Sequence, residues 1–513
     1  MRSRLVACVL LSSLVVTAFP ADRAAAADPW QQWLVGLGKH GFTVTQGGVF
    51  EVDNAACTEI VAVFGTCFGN NAAAPYIIPQ PPIDDTYVDP FYATDFTVEG
   101  ATGLPSNMFF RLADTDAVVT LVTLPPKAAY LGYQSYLFTR LTSAYPTPVE
   151  DQTVSPDPDR YEIFGSLGND INDVVLGRQM GKVWNGGTVV YITTSNRTLA
   201  ETLTKRAAKR GLDTARIFVE PVGEEVTTGT TSAADDLVTL IRYAVPKNAD
   251  SAQTWMDGLA ANVQTFRVSA ADDFPVVRYP TPKYTPKQAT SEASLEAPMA
   301  ELARLLRQWL RKREGAGALI EPMISSEHVN QFGEPTGLVG VDCIANGTNC
   351  LGDNQDTDAY RFGVVGTLPG SQIAFVAGVN HNRTDNASYI SLAIYNMANF
   401  SGIASATQTN SKAVGFDSGV LNGSAQKVLK AIGKFDQASE ELKAALPQLY
   451  VSALSRDCPT SLAANCIDLS DTATLPTGTG VSVTQRAYIK PGTTTGADPD
   501  AMLPPLLVFR PSE

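Results

Sequence analysis

Histidine is almost missing from this chain: His40, His328 and His381 are the three in 513 residues. Imidazole chemistry, as general base or as metal ligand, therefore has few places to sit. No G-x-S-x-G, no H-E-x-x-H and no P-loop occurs, which disfavours the common serine-hydrolase, zincin and NTP chemistries. No cysteine pair has the C-x2-C spacing of a structural zinc site. Basic residues are also in deficit, with Lys+Arg 38 against Asp+Glu 52. An acidic surface argues against nucleic acid as partner, because phosphate is bound mainly through Lys and Arg. Beyond the first residues no apolar run approaches the ~20 residues that cross a bilayer, so no membrane span is expected.

The start itself is organised. Arg2 and Arg4 precede an apolar run from Leu5 to Phe19 and a small-residue stretch ending Ala25-Ala26-Ala27. This is the layout of a secretory signal peptide over residues 1–27, and it places the protein outside the cell, secreted and extracellular. Removing its three arginines and one aspartate takes the formal net charge from −14 to −16. Cys8 leaves with the leader, and the other cysteines form three close pairs: Cys57 with Cys67, Cys343 with Cys350, and Cys458 with Cys466. In an oxidising compartment these read as local disulfides, each giving roughly 2–3 kcal/mol at best for so short a loop.

Patterning predicts an α+β protein of two lobes, each with antiparallel hairpins packed against helices. The N-terminal lobe is expected over 28–267, a Pro- and Ser/Thr-punctuated connection over 268–297 and the C-terminal lobe over 298–513. "DPWQQWLVGLGKHG" reads as a short helix with His40 at its end. "GGTVVYITTSNRTLAETLTKRAAKRGLDTARIFVEPVG" reads as β-α-β, capped at Thr194 or Ser195. Further helices are expected over 232–244 behind Ser232, over 250–263, in "PMAELARLLRQWLRKREG", and near 424–433 and 436–446. Residues 108–140 and 360–397 both read as strand, turn, strand. Both second strands carry tyrosines six residues apart, Tyr130 with Tyr136 and Tyr389 with Tyr395, which suggests a divergent internal duplication.

Candidate chemistry gathers at few points. His381 sits in "VNHNRTDN", a polar strand-end loop where sites are often built, with Arg383 and Tyr389 as orienting groups. The same residues also suit a plain turn, since Asn, His and Asp tolerate left-handed backbone. His328 follows Ser325, Ser326 and Glu327, the parts of a nucleophilic triad were they to meet in space. Asp353, Asp356 and Asp358 beside the middle cysteine pair suggest a weak Ca2+ loop, against which stands a solvated acidic turn. Asn169, Asp170, Asn172 and Asp173 read as turn formers. The resulting expectation is a secreted hydrolase acting on a small molecule or polymer. The alternative is a non-catalytic extracellular binding protein that uses Tyr130, Tyr133 and Tyr136, with a structural calcium loop.

Overall fold

A computed structural model describes residues 28–71, 76–83, 87–89, 92, 97–100, 103–145, 156–184, 186–325, 339–358, 361–403, 414–415 and 421–511. The expected leader, and His328 with Ser326 and Glu327, lie outside them, as does the side chain of Ser325.

Local signals set most elements. Asp28 accepts from the Trp30 amide and opens the helix Pro29–Leu37, which buries Trp33 and Leu34. The β-α-β unit forms as strand Thr188–Thr194, helix Arg197–Lys209 and strand Ile217–Pro221, the two strands pairing in parallel. Its cap is Asn196, whose side chain accepts from the Thr198 and Leu199 amides. Thr194 and Ser195 instead donate to Asp116 and Asp114. The helix expected over 232–244 is a strand, Asp236–Pro246. It is buried on both faces, and a strand so placed reads as a continuous apolar run that periodicity cannot tell from a buried helix.

The strands build four large sheets, two from residues 43–269 and two from 319–509. One outer sheet runs, in spatial order, Thr43–Gln46, Val263–Ser269, Asp116–Thr123, Thr188–Thr194, Ile217–Pro221. The other runs Leu319–Pro322, Leu506–Phe509, Ala374–Val379, Leu449–Ser455, Cys466–Asp468. The inner sheets run Ala128–Leu141, Asp236–Pro246, Tyr76–Gln80, Gly48–Val52, and Tyr389–Asn396, Val481–Tyr488, Arg361–Gly366, Ile324–Ser325. With nine of these strands counted along the chain in each half, both outer sheets read 1-9-4-6-7 and both inner sheets 5-8-3-2. Strands 6 and 7 pair in parallel in both halves, and the other neighbours pair antiparallel. The two strand-turn-strand units therefore do not pair with themselves: each turn carries the chain from the outer sheet to the inner one.

Helices cover the outer sheets. Pro29–Leu37 and Arg197–Lys209 pack on one, and Glu296–Glu314, Ser424–Ala431 and Glu440–Ala445 on the other. Apolar side chains fill the space between outer and inner sheets, Tyr133 and Ile241 in the first half and Ile390 and Val483 in the second. The opposite faces of the two inner sheets meet each other. There Tyr488 packs on Tyr130 at 4.7 Å and stacks on Tyr389 at 4.9 Å.

That seam is closed by two reciprocal sets of backbone hydrogen bonds. Cys67 and Gly69 donate to the Asn399 and Phe400 carbonyls at 2.8 and 3.1 Å. Cys350 and Gly352 donate to the Ile163 and Phe164 carbonyls at 2.8 and 2.9 Å. The next residues repeat the exchange: Asn70 Oδ1 accepts from the Gly402 amide, and Asp353 Oδ1 from the Ser166 amide, both at 2.7 Å. Each donor segment is Cys-x-Gly, closed by its own disulfide, Cys57–Cys67 or Cys343–Cys350. Each also has positive φ at both residues after the cysteine: 52° and 63° at Phe68 and Gly69, 56° and 69° at Leu351 and Gly352. The third pair, Cys458–Cys466, is bonded as well.

The two glycines separate conformation from crowding. At Gly69 a methyl group meets open space, whereas at Gly352 it falls 2.9 Å from Phe164 ring carbons. Gly69→Ala is expected to lower the free energy of unfolding by about 1–2 kcal/mol, the left-handed backbone cost alone. Gly352→Ala is expected to lower it by clearly more; urea denaturation giving equal losses would contradict the seam geometry.

Candidate functional site

His381 follows the strand Ala374–Val379 and is 1% exposed. Its Nδ1 lies 2.8 Å from Glu292 Oε1, and its Nε2 lies 2.9 Å from Gln485 Nε2. The chain continues, because the Tyr450 hydroxyl donates to Gln485 Oε1. With Nδ1 carrying the proton, every donor in Tyr450–Gln485–His381–Glu292 meets an acceptor. Glu292 Oε1 also accepts from Thr384 and Asn386, and Oε2 from the Leu503 amide. Burial pushes the Glu292 carboxyl up, but His381, Thr384 and Asn386 outweigh it and hold the group at about 2. His381 thus ties the end of the connecting segment, which carries Glu292, to the second half. Its proposed companions do not join it: Arg383 is exposed, and Tyr389 lies in the seam against Tyr488. His40 is exposed after the first helix.

The acidic loop is buried rather than solvated, and its carboxylates diverge. Asp353 accepts from the Ser166 amide and hydroxyl, at 2.7 and 2.8 Å. Asp356 accepts from the Tyr130 hydroxyl at 2.8 Å and from Asn172 at 2.6 Å. Asp358 accepts from the Ala487 amide and faces Arg361 at 3.5 Å. Protein donors hold all three, and among the described residues no group of three or more His, Cys, Asp or Glu is placed to hold a metal ion. Sequence spacing put these acids in one loop; the fold spends them on three separate contacts. Burial raises Asp356 to about 7, with Tyr130 and Asn172 opposing. Burial and then the Asp356 charge push Asp170 well up, with Arg242 opposing.

The concave feature of the seam lies elsewhere. A cavity of about 70 Å³ opens between the helix Asn54–Phe64 and the inner sheet of the first half. Phe64, Phe68, Phe109, Phe138, Phe164 and Leu240 wall it. Phe109 stacks on Phe138 at 4.4 Å, and Phe64 and Phe164 meet Phe138 edge-on at 5.8 and 5.5 Å. Leu351, Gly352 and Arg486 of the second half close it, and Arg242 of the first half also lines it. Phe68, Phe164 and Leu351 hold positive φ, a costly conformation for large side chains that the surrounding contacts must impose.

The two arginines occupy matching positions. Arg242 stands opposite Gly132, two residues past Tyr130, and Arg486 opposite Ser391, two residues past Tyr389. Arg242 Nη2 donates to the Tyr136 hydroxyl at 2.5 Å, and Arg486 Nη1 to the Tyr395 hydroxyl at 2.7 Å. Three residues on, Val245 and Ile489 both take positive φ. Arg486 also donates to the Gly69 carbonyl, and Arg242 Nη1 lies 3.6 Å from Asp170 Oδ1. Sequence reasoning found the tyrosine pairs but missed both arginines. The available signal was R-[YA]-[AY]-[VI], which recurs in "LIRYAVP" and "TQRAYIK".

No family model matches the chain, and no curated protein matches it. A solved structure, that of the VPA0106 protein from Vibrio parahaemolyticus, is similar over 83% of this chain and 92% of that one, at 10% identity and a TM-score of 0.28.

Two outcomes check the site as built. Because the folded carboxyl of Glu292 lies below its ordinary 4.5, its contribution to stability is complete above that value and is lost as pH falls toward 2. Glu292→Gln is expected to flatten the acid limb of stability measured against pH in that window, and His381→Ala to cost about 2–3 kcal/mol near neutrality by leaving a buried carboxylate short of a donor. EDTA is expected to leave the melting temperature unchanged; a fall reversed by Ca2+ would restore the metal reading of Asp353, Asp356 and Asp358.

Proposed function

We propose that this chain is an exported, non-catalytic binding protein that holds a small ligand in the aromatic cavity at its seam, and that residues 28–269 and 296–513 are divergent copies of one unit joined by 270–295. The observation that carries the binding reading is the cavity itself: phenyl walls, an arginine from each half in its lining, and strained backbone at three lining residues. Binding sites are concave and mostly apolar, with a few placed polar groups. The duplication is supported by the shared strand order, the reciprocal Cys-x-Gly contacts and the matched arginine–tyrosine pairs. Export is supported by the leader-like N-terminus and three disulfides. Among the described residues no helix is long and apolar enough to cross a membrane.

The hydrolase reading rested on His381, whose two ring nitrogens are both engaged in a buried chain. The binding reading needs no such group. A cavity near 70 Å³ is several times the ~10–15 Å³ of probe space that one water needs, so its occupant is a small molecule. Xenon, followed by 129Xe NMR, is expected to bind the full chain and to lose its site in Val238→Phe, which fills the cavity. Absence of a xenon site in the unmodified protein would reject the reading.

A further inference from the structure

The two Cys-x-Gly contacts match residue for residue. Ile163, Phe164 and Ser166 stand on one side where Asn399, Phe400 and Gly402 stand on the other, and Asp353 stands where Asn70 does. One step earlier the match breaks: Glu162 takes the place of Ala398, and Asn349 the place of Thr66. Glu162 is 4% exposed, and its Oε2 accepts from Asn349 Nδ2 at 3.2 Å across the seam. Asn349 Oδ1 in turn accepts from the Leu351 amide at 2.8 Å, and Leu351 lines the cavity. A buried carboxyl of the first half is thus linked, through one side chain, to the wall that the second half gives the cavity.

We propose that Glu162 is a proton-controlled latch of the seam: the halves close on its neutral carboxylic acid, and its ionisation favours an opened seam in which the carboxylate reaches water. Burial, with Asn349 opposing, pushes the carboxyl up to about 8, because an ionised group gives up its hydration inside the protein. The charged and titratable groups of the elements packed there have contacts of their own. Arg160 on the same strand meets Asp236 at 2.9 Å, and Arg140 on the adjacent strand meets Asp235 at 2.6 Å. Tyr145 donates to the Ile344 carbonyl and lies 6.0 Å from the Tyr161 ring. From the second half, Asp353 is held by Ser166, and Asp342 of the helix Val341–Asn346 is exposed. A carboxyl raised above its ordinary 4.5 contributes stability that is complete below that value and is lost as pH rises to about 8. Both Cys-x-Gly contacts close the same seam, so both loosen together even though one of them carries the acid. Release of a ligand from the cavity as pH rises is the consequence that rests on the binding reading; the latch itself does not.

The test is amide hydrogen exchange of the full chain at about pH 5 and about pH 8, either side of most of that loss, expressed as protection so that the intrinsic effect of pH on exchange cancels. Protection at Cys67, Gly69, Cys350 and Gly352 is expected to fall by about tenfold or more, tenfold being the equivalent of one pKa unit. The outer-sheet strands Thr188–Thr194 and Leu449–Ser455 are expected to keep theirs. Glu162→Gln, which retains an acceptor for Asn349 and cannot ionise, is expected to flatten the fall and leave protection at the lower pH unchanged. An equal fall in the outer sheets, or the same fall in Glu162→Gln, overturns the latch. If Glu162→Gln fails to melt cooperatively, the 13C shift of the Glu162 carboxyl in the unmodified protein decides: a midpoint near 8 supports the latch and one near 4.5 overturns it. Xenon is expected to bind more weakly at the higher pH. Equal xenon binding at both overturns the link from latch to cavity, and xenon binding at neither overturns the cavity reading while exchange still decides the latch.

Discussion

Along their central strands, Ala128–Leu141, Asp236–Pro246, Tyr389–Asn396 and Val481–Tyr488, the inner sheets are buried on both faces, and that constraint organises the molecule. Each packs one side on its own outer sheet through apolar residues, which leaves the other side, with Tyr130, Arg242, Tyr389 and Arg486, to be covered by the opposite half. Polar groups on such faces need partners, because an unsatisfied buried donor costs more than a satisfied one contributes. The reciprocal Cys-x-Gly contacts supply some of them, each half offering backbone amides to carbonyls of the other. Contacts in which residue i of one partner meets j of the other, and the converse, are the mark of an isologous interface. Here the two partners belong to one chain.

The cavity follows from unequal filling of that interface. The helix Asn54–Phe64, longer than its counterpart Val341–Asn346, lifts an aromatic layer away from the first inner sheet. Phe68 and Leu351 stand at equivalent places after their cysteines, yet both line the same space. A paired device thereby yields a single-sided cavity bearing one arginine from each half. The buried carboxyls of Asp170 and Asp356 lie on the Arg242 side of the seam, where Tyr130 and Asn172 bridge the halves to Asp356.

Much of the architecture was legible in local patterns. The β-α-β unit, the helix Glu296–Glu314, the tyrosine spacing and the cysteine pairing are all readable because they depend on neighbours in sequence. Asp236–Pro246 was misread as helix because burial on both faces removes the alternation that marks a strand. The site was mostly illegible, since Arg242 and Arg486 lie 244 positions apart and gain meaning only through strand order. His381 misled for a physical reason: rarity and polar neighbours suit a site, but here they serve an anchor. Glu292 brings the connecting segment to His381, whereas the matching turn of the first half, "LPPK", carries no histidine. The acids of the 353–358 loop, read as a weak Ca2+ loop or a solvated acidic turn, each satisfy donors delivered by distant strands.

The two Cys-x-Gly contacts close one seam, and the aromatic cavity lies within it. Amide hydrogen exchange at Cys67, Gly69, Cys350 and Gly352, with and without saturating xenon, reads this seam. Both pairs are expected to exchange with a common protection that rises together when ligand is added. Independent exchange of the two pairs, or protection unchanged by a ligand that binds, would contradict it.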